Sequence, residues 1–96
     1  MFWSPRNLRH TGIMKDQTLA QMLRNRRLEL HLRQSDIAKK CGVVPECICL
    51  IEGGKRWPSL DLLPALADAL DLDLTMLCAR TLEEVAPVLY DSLLRS

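Results

Sequence analysis

The residues of this 96-residue chain best suited to chemistry are four cysteines, Cys41, Cys47, Cys49 and Cys78, and two histidines, His10 and His31. A structural zinc site needs closely paired C-x2-4-C ligand spacing. Here the run is C-x5-C-x-C with a distant fourth cysteine, and cysteines two apart on a helix point about 200° from each other. The spacing implies free thiols packed among apolar neighbours, and no metal site. His31 stands where a helix should end and reads as a cap, while His10 has no companion. The sequence holds no nucleophile–base constellation, glycine-rich phosphate loop or cleft-forming carboxylate pair. That argues against an enzyme and calls for no cofactor.

What remains is charge. From Met1 to Trp57, eleven Lys and Arg stand against five acids, which leaves +6; from Pro58 onward two Arg stand against seven acids, which leaves −5, and the halves sum to the overall +1. A basic half in front of an acidic one suggests a side that faces a polyanion and a side that faces solvent or a partner.

The elements that must position these charges are helical. The chain has one Phe, one Tyr and few runs of alternating Val, Ile and Thr, so an all-α domain is expected. No apolar run reaches membrane-spanning length, and MFWSPRNLRH lacks the apolar core of a secretory signal. A soluble, cytoplasmic protein follows, with no membrane partner. Residues 1–14 read as a flexible basic arm whose Arg6, Arg9 and His10 could track phosphates. Residues 15–79 form the domain, and 80–96 a C-terminal helix.

Within the domain, Asp16 is an N-cap candidate for a first helix running to about His31. Gln34 to Cys41 reads as a second helix, with the cations Lys39 and Lys40 at its negative end. Gly42 supplies the positive φ of a sharp exit, and Pro45 opens a third helix to about Ile51. Ile37, Val43, Ile48 and Ile51 turn inward, with Ala38 small at the crossing. Two short helices at a steep angle form a helix-turn-helix, whose second helix can lie in the DNA major groove. Ser59 is an expected N-cap for a fourth helix bent by Pro64. Leu74 to Cys78 makes a short fifth, and Thr81-Leu-Glu-Glu84 a capping box that opens a last helix to about Arg95, split or kinked at Pro87.

Two further expectations follow from periodicity. Arg27 falls inside the inward stripe of Leu19, Met22, Leu23 and Leu30, and a charge buried alone is costly. Glu52, four residues after Ile48, is its expected partner. In the last helix, Leu82, Ala86, Leu89 and Leu93 form one stripe, and Val85, Val88 and Leu94 a second edge. One can fold back on the core. The other is left for a homodimer contact through Leu82, Val85, Ala86, Val88, Leu89 and Leu93.

The run RRLELHLRQSDIAKKCGV (Arg26 to Val43), followed by IEGGKRWPSLDLLPALADALDLDLTML (Ile51 to Leu77), resembles the phage-repressor-like, Xre-type helix-turn-helix family. The resemblance implies a compact five-helix lambda-repressor-like domain, here with an extra C-terminal helix, that binds operator DNA as a dimer and regulates transcription as a repressor. By position it implies that Gln34, with Arg33 beside it, meets phosphate at the start of helix 2, and that Lys55 and Arg56 meet the backbone after helix 3. Val44, Pro45, Glu46 and Leu50 would face bases, with Cys47 and Cys49 flanking. Members commonly carry Ser or Thr at the place of Val44, and Gln, Arg or Ser at those of Pro45 and Glu46. Here only Glu46, towards cytosine N4, and apolar contact with thymine methyls are open. The alternative expectation is a protein-interaction module or antitoxin-like binder that uses the same apolar helix.

Overall fold

The computed structural model describes residues 17–94. The expected roles of the N-terminal arm and of Asp16 lie outside them. Five helices follow in order: α1 Leu19–Glu29, α2 Gln34–Cys41, α3 Pro45–Glu52, α4 Leu62–Ala69 and α5 Leu74–Leu94. There are no strands among the described residues.

Helix α1 begins on a capping box. The Gln21 amide donates to Thr18 Oγ1 at 3.1 Å, and the Thr18 amide to Gln21 Oε1 at 3.0 Å. Thr18, with an acceptor hydroxyl and a Gln three residues on, therefore takes the N-cap role expected of Asp16.

The first four helices end alike, each on a left-handed residue: His31 (φ 58°), Gly42 (71°), Gly54 (73°) and Asp71 (53°). At each end a six-residue return bond closes the last turn: Leu32 N–H to Arg27 O, Val43 to Ala38, Lys55 to Leu50 and Leu72 to Ala67, at 2.8–3.1 Å. The left-handed residue itself donates to the carbonyl three before it. This is the Schellman arrangement, which satisfies carbonyls a helix end would otherwise orphan. Two of the four positions are not glycine, so His31 caps α1 through its backbone.

Eight-residue helices are marginal alone, and packing holds these. Helix α2 lies against α3 and α4, α4 against α5, and α1 against α3 and α5. Leu19, Met22 and Leu23 of α1 meet Ile37 and Ala38 of α2, Ile48 and Ile51 of α3, Leu63 and Leu66 of α4 and Leu77 of α5 in one buried cluster. Each large aliphatic so buried contributes about 1.5–3 kcal/mol. Arg26 adds a polar tie between elements, with Nε donating to Leu70 O at 2.8 Å and Nη2 to Asp71 O at 3.2 Å.

Three boundaries differ from the sequence reading. Helix α4 starts at Leu62, after a turn in which Ser59 O accepts from the amides of Leu62 and Leu63 at 3.0 and 3.2 Å, so Ser59 acts through its carbonyl. Pro64 then falls in the first turn, where its missing N–H costs nothing. The short fifth helix and the last one are a single 21-residue helix that contains Pro87. Thr81 opens no new helix: it is buried, and its hydroxyl donates to Leu77 O at 2.8 Å. Thr81 had a packed neighbour and a back-bonding carbonyl, so its capping signature went unused.

Leu77 and Thr81 are the buried residues of α5, and neither later stripe folds back. Leu82, Leu89 and Leu93 are 59%, 55% and 74% exposed, and Val88, Tyr90 and Leu94 are exposed with them. Of the two stripes, the one from Leu82 to Leu93 is exposed at its leucines, and Val85 of the other is half-buried.

Candidate nucleic-acid interface

The buried face of α3 fixes its exposed one. Cys47, Ile48 and Ile51 point into the core. Val44, Pro45, Glu46, Cys49 and Leu50 point out, with Val44 63% and Leu50 41% exposed. Cys47, expected beside the base-facing residues, is only 9% exposed and packs in the core cluster. It is one position from Ile48 and shares its inward sector, so the surface thiol of this helix is Cys49. Pro45 is the first helical residue, where a proline suits the start.

Helix α2 brings the basic flank. Arg33 precedes it with extended backbone and a side chain 85% exposed. A guanidinium has no acceptor with which to cap α2. The reverse half of a capping box forms instead: the Arg33 amide donates to Asp36 Oδ2 at 2.8 Å, and Arg33 Nε stands 3.6 Å from the same oxygen. That amide, followed by the nearby charges of Arg33 and Lys40, holds the Asp36 carboxyl below its ordinary range.

Gln34, the first residue of α2, is half-buried and anchored from behind. Its Nε2 donates to Glu52 Oε1 at 3.1 Å. Glu52 also accepts from Arg27 Nε at 2.8 Å and Nη2 at 3.0 Å, while Arg27 Nη1 donates to Leu32 O at 2.8 Å. The hydrogen bond to Glu52 raises the pKa of Arg27 against the opposing effect of burial. One network thus joins α1, the α1–α2 turn, α2 and α3. It leaves Gln34 one amide proton to offer outward.

After α3, Lys55 and Arg56 are exposed on a loop set by the left-handed Gly54. Lys39, Lys40, Lys55 and Arg56 enter no ion pair among the described residues. Trp57, next in the loop, is 42% exposed, and its Nε1 donates to Glu84 Oε1 of α5 at 3.3 Å. The buried neighbour at the entry to α4 is Pro58.

The cysteines do not converge on a metal site: among the described residues no group of three or more His, Cys, Asp and Glu could hold an ion. Cys41 is half-buried, and burial, then the neighbouring Cys47, pushes its thiol pKa up. Such a thiol is a poor nucleophile. Among the described residues, no helix is long and apolar enough to cross a membrane.

What this arrangement offers is an exposed helix face, with unpaired cations on the neighbouring segments and an amide, Gln34, anchored on the Glu52 carboxylate. Sequence reasoning missed Arg26 and Glu84, whose partners are far away in the chain and leave no local signal.

Comparison with known proteins agrees. Residues 23–77 match the helix-turn-helix family model. The chain is 29% identical over 79 residues to the ImmF control region 10 kDa protein of Bacillus phage phi105, covering 82% of this chain and 88% of that protein. It resembles the crystal structure of the P22 c2 repressor in complex with a synthetic operator, with a TM-score of 0.60, 31% identity, and coverage of 64% of this chain and 92% of that one. The Corynebacterium glutamicum clp gene regulator ClgR shares the fold at a TM-score of 0.59 and 22% identity, over 80% of this chain and 83% of that one. With the family model matched over more than half its length, this chain belongs to the phage-repressor-like helix-turn-helix family, a family of DNA-binding transcriptional regulators and not of enzymes.

Proposed function

We propose that the protein is a sequence-specific, repressor-like regulator that binds operator DNA as a two-fold dimer, with α3 in the major groove. The observation that carries this reading is one exposed helix face, Val44, Pro45, Glu46, Cys49 and Leu50, with Arg33 and Gln34 at the start of the preceding helix and the exposed Lys55 and Arg56 in the loop that follows. The last four residues contact phosphates and set register, and the α3 face reads base edges. The complex of the P22 c2 repressor with its operator supports the assignment.

The exposed half of α5 serves the dimer. Leu82, Val88, Leu89, Tyr90, Leu93 and Leu94 lie on one helix and are all more than half exposed. Leu82, Leu89 and Leu93, within about 40° of one another around the helix, form its central stripe, and contiguous exposed apolar surface of this kind marks an interface. A second copy offers the same patch, and a two-fold axis makes it self-complementary while matching a palindromic operator.

Titration of the full chain with duplex DNA at several salt concentrations tests the reading. Affinity should fall linearly in log–log form, with a slope set by the phosphates contacted. An absence of binding at roughly 50 mM salt overturns it. The α3 face has no Arg, Lys, Asn or Gln, so that result would favour a protein-binding or antitoxin-like use of the same helix.

A further inference from the structure

Helix α5 meets the start of α1 and the loop after α3 through one carboxylate, Glu84. Glu84 lies one turn beyond the last buried residue of that helix, Thr81. One of its oxygens accepts from the Leu19 amide at the start of α1, and the other from the Trp57 indole N–H at 3.3 Å. The first of these bonds satisfies an amide that the Thr18 cap leaves open, and it sets a negative charge at the positive end of α1. The second holds the residue directly after Lys55 and Arg56. These groups line one shallow depression formed by Thr18, Leu19, Gly54, Lys55, Trp57 and Glu84. One turn earlier, Arg80 Nη2 donates to Gln17 O, so α5 grips the entry to α1 at two points.

We propose that Glu84 is a positioning residue that fixes the Lys55–Arg56 loop through Trp57, and so ties the phosphate-contacting loop to the helix that carries the dimer surface. The entry to the loop is fixed by the Lys55 amide bond to Leu50 O, and beyond that bond the loop is exposed. Gly53, Gly54, Lys55, Arg56 and Trp57 are all exposed, with Pro58 the next buried residue. A carboxylate can accept at both oxygens, and the geometry uses both. An amide of the same shape accepts at one only and presents donors at the other. The consequence for DNA rests on the function proposed above; the positioning itself does not.

The test uses the full chain and two variants. Trp57→Phe keeps the ring and removes only the indole N–H, leaving the bond to the Leu19 amide intact. Glu84→Gln keeps the shape and disrupts one of the two acceptances. Amide hydrogen exchange at Lys55, whose N–H donates to Leu50 O, should speed up under Trp57→Phe, while Ile48 and Leu66 in the core keep their protection. Adding Glu84→Gln to Trp57→Phe should not speed exchange at Lys55 further, because the indole bond it could affect is already gone. In DNA titrations the salt slope should fall by about one for each phosphate that the loosened loop no longer engages. Parent-like exchange at Lys55 under Trp57→Phe overturns the positioning role. A parent chain that binds no DNA overturns the proposed function instead, and faster exchange in the variants would then still support the positioning. Faster exchange with an unchanged salt slope refutes the tie to phosphate binding.

Discussion

The Arg27 guanidinium holds the Glu52 carboxylate in a two-pronged contact, Nε to Oε2 at 2.8 Å and Nη2 to Oε1 at 3.0 Å, with the side chains only 11% and 6% exposed. Removing one partner of such a pair leaves the other charged and desolvated, at a cost of about 3–5 kcal/mol. Arg27→Ala should lower the urea midpoint accordingly, with a loss of folding cooperativity. Replacing both, Arg27→Met with Glu52→Leu, should restore most of that stability. An Arg27→Ala variant that melts like the parent contradicts this account.

That ion pair shows what a sequence can reveal about this fold. Arg27 lies in an apolar stripe of α1, and Glu52 lies on the inward face of α3; periodicity alone puts both at the same interface. The bounds of α2 were equally legible, from Gln34 to the glycine after Cys41. The third partner of the network, Gln34, was not, because an amide at a helix start looks the same whether it faces solvent or Glu52. The unbroken α5 was hidden for a different reason. Thr81 and Glu84 spell a capping box, but each finds its partner elsewhere, Thr81 in the Leu77 carbonyl and Glu84 in α1 and Trp57. Local signals give way where tertiary neighbours offer the same groups better partners.

The start of α2 should respond to acid. The Asp36 carboxyl titrates below its ordinary value of 3.8, chiefly because the Arg33 amide donates to its charged form. The unfolded chain therefore binds more protons than the folded one between the two values. The contribution of Asp36 is complete above the ordinary value and is lost as pH falls through the lowered, folded one. An NMR titration of the Asp36 side-chain carbon should show a midpoint below that of an unfolded reference peptide. Asp36→Asn should remove this part of the acid sensitivity. A midpoint at the ordinary value refutes the hydrogen bond as its cause.

The proposed dimer surface can be separated from folding. Leu89 is 55% exposed in the single chain, so a charge there costs the fold little, yet it would be buried between two copies. Sedimentation of Leu89→Asp at micromolar concentration should give a monomer where the parent gives a dimer. The thermal midpoint at high dilution should be unchanged, because surface substitutions away from such features lie within about ±0.5 kcal/mol. A parent that sediments as a monomer removes the dimer altogether.

The outward face of α3 predicts an unusual readout. In the readout proposed above, Val44 and Leu50, exposed and without a donor for a guanine or adenine edge, contribute apolar contact with thymine methyls. Glu46, exposed between them, can only accept, and cytosine N4 is the major-groove donor suited to it. In a duplex selected from random sequence by the full chain, replacing a contacted thymine by uracil removes the methyl and nothing else. Each such replacement should cost about 0.8 kcal/mol, or roughly fourfold in affinity. Glu46→Ala should act in the opposite sense on random DNA, raising affinity by removing a negative charge near phosphates while abolishing the preference for cytosine. Selected sites rich in guanine contacts and indifferent to uracil would show that another surface reads the bases.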